Sequence, residues 1–166
     1  MARGDIQIFK NGAFGPVGTT KHAVAAGAAA SIKAGELVLK SLGDASVVAW
    51  TANNTAKPVV GTDYIAGISM SDSTDTASAA GTVEIMPLVP GAIYLANPET
   101  PASFDTQAEY DALVGDRVLL KTTAAGVQTI LGTDGATYGL VIMPLNIAEF
   151  PGKVAFSIRA GASYLA

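Results

Sequence analysis

The sequence predicts an all-β protein: a barrel or sandwich of two similar four-stranded units, with one short helix and an extended N-terminal arm. Three observations carry this prediction. Short β-rich runs alternate with turn residues along most of the chain, four of those runs return later in the same order, and one segment alone carries paired helix signals. A chain of 166 residues can build a core this way, because folding at that size removes roughly 68–70% of the unfolded surface from water.

The elements follow in chain order. Asp5–Lys10 alternates polar and apolar residues, as a short strand does. Gly12, Gly15, Pro16 and Gly18 then break regular structure. Ala23–Ala30 favours helix by composition, but Gly27 interrupts it and no long side chain anchors a face. Residues 1–31 therefore read as an arm that cannot bury itself alone, ahead of a β domain over 32–166. Within that domain the expected strands are Glu36–Lys40, Val47–Thr51, Tyr64–Ser71, Thr82–Leu88, Ala92–Ala96, Arg117–Thr122, Val127–Leu131, Tyr138–Met143 and Lys153–Arg159. Turn pairs such as Gly43-Asp44, Pro90-Gly91, Asp134-Gly135 and Pro151-Gly152 separate them. Thr106 and Glu109 have the spacing of a capping box, Tyr110 and Leu113 share a face, and Gly115 stands where a left-handed residue ends a helix.

The repeat has four ordered parts. Gly35-Glu-Leu-Val-Leu answers Gly115-Asp-Arg-Val-Leu, and Val47–Trp50 answers Val127–Ile130, each starting 12 residues after its glycine. Gly67-Ile-Ser-Met answers Gly139-Leu-Val-Ile. Gly81-Thr-Val-Glu-Ile answers Gly152-Lys-Val-Ala-Phe, 14 and 13 residues further on. The units span about 32–89 and 113–160, with an insertion over about 90–112 holding an extra strand and the helix. Two such units, each with an apolar face, close on one another.

Composition excludes several functions. Lys and Arg number 10 against 14 Asp and Glu, for a net charge of −4, so there is no basic face for nucleic acid. The absence of cysteine removes disulfides, thiolate zinc sites and thiol nucleophiles. The single histidine, His22, lies in the arm with Lys21 before it and no acid nearby, which is a poor setting for a general base. No apolar signal core precedes Asp5, and the Ala23–Ile32 run is too short for the ~20 residues that span a bilayer. Asp72 and Asp75 lack the spacing of a calcium loop, so a polar turn is expected. Asp105, Glu109, Asp111 and Asp116 flank the helix without an aspartic-protease motif, and Asp105 and Glu109 suit its N-terminal end. The Gly12–Gly18 segment lacks the Lys-Ser/Thr that ends a phosphate loop. Asn53-Asn54-Thr55 fits a glycosylation pattern that has no meaning without a secretory signal, and Trp50 is expected in the core or at a strand edge. No catalytic, cofactor or metal residue is assigned, and the expectation is a non-enzyme. At 14% charged residues, the surface is poor in charge, as when partners in an assembly cover it.

Taken together, Ile32–Leu39, Tyr64–Ser69, Gly81–Ile85, Val114–Leu120, Tyr138–Ile142 and Gly152–Ile158 resemble the head decoration (capsid cement) proteins of tailed bacteriophages. The resemblance is one of texture and order over residues 31–160, and it does not extend to the arm or the insertion. It implies a virion protein on the outer capsid surface, made in the host bacterial cytoplasm. Its partners would be the major capsid protein and other copies of itself, a trimer above all, with no direct contact to nucleic acid or membrane. Ile6, Ile8 and Phe9 of the arm would add to a partner's sheet edge and Phe14 would fill a partner's pocket, against the equal alternative of packing on this subunit's own barrel. A tail-tube, fibre or host-attachment component is the second reading. A small hydrolase or glycan-active enzyme, which needs a pocket of converging acids, is the third.

Overall fold

The computed structural model describes residues 7–10, 18–27, 32–41, 43–49, 63–88, 91–122, 127–132, 134–136 and 138–162. Among the described residues it is a mostly β protein containing a closed five-stranded barrel, a second sheet and one α-helix. The strands are β1 (Gln7–Lys10), β2 (Thr20–Val24), β3 (Leu37–Ser41), β4 (Val48–Ala49), β5 (Asp63–Ser69), β6 (Gly81–Met86), β7 (Ile93–Pro98), β8 (Arg117–Thr122), β9 (Gln128–Leu131), β10 (Leu140–Ile142) and β11 (Val154–Ile158). The helix α1 covers Gln107–Leu113.

The barrel runs β7-β11-β10-β8-β9 through antiparallel ladders and closes where β9 pairs in parallel with the end of β7, Asn97 opposite Thr129 and Pro98 opposite Ile130. β1 lies along the remaining length of that edge of β7, with Gln7 opposite Leu95 and Lys10 opposite Ile93. The second sheet has the order β2-β6-β5-β3-β4. A parallel bridge between Val24 and Val47 brings the start of β4 back to the end of β2.

Two cores explain the near-continuous apolar runs of the central strands. Along β3, Leu37 and Leu39 join the large core with Tyr94, Tyr110, Leu120, Ile130, Leu140 and Phe156. Val38, pointing the other way, joins a smaller core with Val24, Ile32, Val47, Ala66, Val83 and Ile85. Both faces of β3 are thus covered, which is why its sequence does not alternate. Each fully buried aliphatic side chain contributes ~1.5–3 kcal/mol relative to exposure.

Three expectations are revised. The 1–31 segment is not one arm, because Thr20–Val24 forms β2 and pairs along its length with β6. The strand read as an extra element in the 90–112 insertion is β7, which closes the barrel. With β7 the barrel has five strands, and β1 along its edge makes that sheet six-stranded. The sequence of β2 has no strand alternation, because Thr-Lys-His-Ala-Val carries one large apolar residue, Val24, and that alone of the five is buried.

Candidate functional site

Most of the described residues singled out in the sequence fall into three places. The first is the leading strand. Ile8 lies opposite Tyr94, and the register shifts at Phe9 before Lys10. Their strand therefore adds to β7 of its own subunit. Ile6 and Phe14 lie outside the described residues, as do Trp50 and Asn53-Asn54-Thr55.

The second place is the loop that holds Asp72 and Asp75, which folds over residues 32–36. Asp72 accepts from the Ala34 N–H at 3.0 Å and pairs with Lys33 Nζ at 2.9 Å. Ser73 Oγ accepts from the Ile32 N–H at 3.0 Å and donates to Asp75. Glu36 accepts from the Lys33 N–H at 2.9 Å, and Ser69 Oγ donates to the Lys33 carbonyl. These acids spend their lone pairs on loop amides, hydroxyls and a lysine, which is structural work. Gly81 lets the loop close, since a Cβ there would meet the Asp75 nitrogen at 2.1 Å.

The third place is the helix. Thr106 caps α1 and forms a reciprocal box with Glu109. Asp111 accepts from Gln107 Nε2 at 2.7 Å. Tyr110 drives its hydroxyl into the junction of β10 and β11, accepting from the Ala155 N–H at 2.9 Å and donating to the Met143 carbonyl at 2.8 Å. Burial pushes its phenol up to about 12.

His22 sits on β2, half-buried, with Thr20 Oγ1 2.9 Å from its Nε2. Burial and then the charge of Lys40 hold its pKa below the ordinary imidazole value. Among the described residues it has a hydroxyl, not a carboxylate, as its hydrogen-bond partner. Asp134 is held below the usual carboxylate range by hydrogen bonds from the Arg117 side chain and backbone at the exposed end of β8. Among the described residues no three His, Cys, Asp or Glu side chains converge as metal ligands, and no helix is long and apolar enough to cross a membrane.

One buried polar residue had no signal in the sequence. Gln128, 1% exposed, accepts from the Leu37 N–H at 2.6 Å and donates to the Leu37 carbonyl at 3.0 Å. Its amide imitates a strand partner and ties β9 of the barrel to β3 of the second sheet. At the other margin of the barrel, β1 is a short strand added along the outer edge of β7. Comparison of the chain with protein-family models, with curated proteins and with solved structures finds no match in any of the three.

Proposed function

We propose that this chain is a non-enzymatic virion protein that sits on the outer surface of a bacteriophage capsid and stabilises the shell by bridging major capsid protein subunits. The observation that carries this reading is β1, a short leading strand laid on one edge of a finished barrel. A strand held along one edge by four residues can leave that edge for a neighbour's at little cost to the body. The charge-poor composition and the resemblance to capsid cement proteins point the same way.

We also infer that the body is one β unit used twice, as a protein that spans repeated shell subunits would use it. Its support is that the pairings recur in register. Leu37 opposite Ile68 and Val38 opposite Gly67 answer Arg117 opposite Val141 and Val118 opposite Leu140. Ser69 opposite Ile85 answers Ile142 opposite Phe156, and Val83 opposite His22 answers Val154 opposite Ala96. The bridge of Val24 to Val47 answers that of Pro98 to Ile130. Loop bonds recur too: the N–H of Gly35 reaches the Ser69 carbonyl as that of Gly115 reaches Ile142, and Met70 reaches Glu84 as Met143 reaches Ala155. In this alignment Ser69 matches Ile142, one residue away from the match of the repeated glycines, and Val47 matches Ile130, three residues away from the match of the repeated runs.

The deciding experiment compares purified particles with and without the protein by electron microscopy, alongside a chain lacking residues 1–17. That truncation stops short of β2. The expected result is density on the outer shell that the truncated chain fails to restore although it folds. Particles with the protein in the tail, or full attachment of the truncated chain, would refute the reading of the virion layer and of the arm respectively.

A further inference from the structure

The matched registers make β2 of the second sheet the counterpart of β7 in the barrel, with Lys21 at the place of Leu95. Leu95 has an occupied outer edge, because Gln7 of β1 lies opposite it. Lys21 has none among the described residues. The Val47 N–H donates to the Ala23 carbonyl at 2.9 Å, so Ala23 faces away from β6. Backbone groups alternate along a strand, so the Lys21 N–H and C=O face the same way. Strand β4 leaves β2 at Val24 and does not run back over Lys21. Among the described residues, one molecule thus presents two equivalent edges, one holding a strand and one bare.

We propose that the bare outer edge of β2 at Lys21 is a strand-accepting site, and that it takes an extended, acid-bearing segment of another protein. The twin edge shows what fits: a short extended segment laid antiparallel on Ile93–Leu95. Two arguments make the occupant a different protein. Among the described residues each chain has one such added strand, β1, for two edges, so moving β1 to a neighbour's β2 empties a β7 edge and gains no pairs. Pairing β2 with a second β2 about Lys21 sets exposed lysines opposite one another, the device that keeps sheet edges from joining their own kind. The side chains here are polar or cationic: Thr20, Lys21 and His22 on the strand, and Lys40 near enough for its charge to act on His22. Glu84 of β6 lies directly opposite Lys21 across the ladder, so the lysine stands between that acid and the open edge. A carboxylate on the incoming strand complements that edge.

The test is independent of the virion reading, because it uses the isolated full chain. The probe is a synthetic peptide with the sequence of residues 5–10, Asp-Ile-Gln-Ile-Phe-Lys, which resembles the strand on the twin edge and carries one acid. Hydrogen exchange of the Lys21 amide is followed with and without peptide. Exchange at Lys21 is expected to slow at least about tenfold at saturation, with weaker binding, again by about tenfold, in Lys21→Pro, which deletes the outward donor and leaves the β6 pairing intact. A peptide N-methylated at its glutamine gives the same information without altering the protein, should the proline variant fail to fold. Unchanged exchange at Lys21, or binding indifferent to both changes, overturns the site. Self-association of the full chain that Lys21→Pro abolishes gives the edge to a second copy and overturns the choice of partner.

Discussion

Gln128 and Tyr110 show how single polar side chains hold this body together. Each satisfies both a donor and an acceptor of buried backbone, and neither can be replaced by an apolar residue without orphaning both. Gln128→Leu strands the Leu37 N–H and C=O at the junction of β9 and β3, and should cost roughly 2–4 kcal/mol, read as a shift in the urea midpoint. Tyr110→Phe keeps the ring, 5.9 Å from that of Phe104, but strands the Ala155 N–H; a loss of about 1–3 kcal/mol is expected. The phenol also makes a pH statement. Its folded pKa is raised from 10.0 to about 12, so the folded state disfavours the phenolate. Stability is then fully present below pH 10 and falls as pH rises through about 12. Tyr110→Phe should flatten that alkaline limb in thermal melts at graded pH; an unchanged limb would assign it to other groups.

Among the elements, the helix and β5 depend on local chemistry of opposite kinds. The capping box that starts α1 uses two side chains within four residues and is legible from sequence alone. Thr106→Ala should cost about 1 kcal/mol, measured by thermal unfolding, because the Glu109 N–H loses its acceptor. β5 instead depends on a residue with no side chain. A Cβ on Gly67 would lie 2.2 Å from the Met86 carbonyl oxygen and 2.4 Å from Ile85 Cγ2, so Gly67→Ala must part β5 from β6. A loss of about 1–3 kcal/mol follows from such overpacking, and near-normal stability would mean that β6 yields freely. The sequence sets Gly67 inside a strand and Gly91 in a turn, but does not show that a Cβ on Gly67 would meet another strand while Gly91 has open space around its Cβ position. The difference is the approach of another strand.

For the whole molecule, the arrangement of the two sheets decides what can be removed. Residues 1–17 include β1 and stop before β2, whereas any cut beyond Thr20 breaks the ladder of β2 with β6. Deleting residues 1–17 should therefore leave the far-UV spectrum and cooperative unfolding nearly intact, while deleting residues 1–24 should collapse the smaller core that Val24 shares with Val83 and Ile85. Equal damage from both cuts would show that β1 belongs to the body as firmly as β2 does.

The sequence by itself determined the β class, the helix and its cap, and strands close to β1 and β3 to β11, because periodicity, turn residues and capping are local properties. Only the tertiary structure decided that Thr20–Val24 is a strand, that β7 belongs to the barrel and that Gln128 bonds Leu37 across 91 positions. A polar strand draws its stability from the ladder beside it, and a buried amide from a backbone far along the chain. Neither partner is visible until the chain has brought them together.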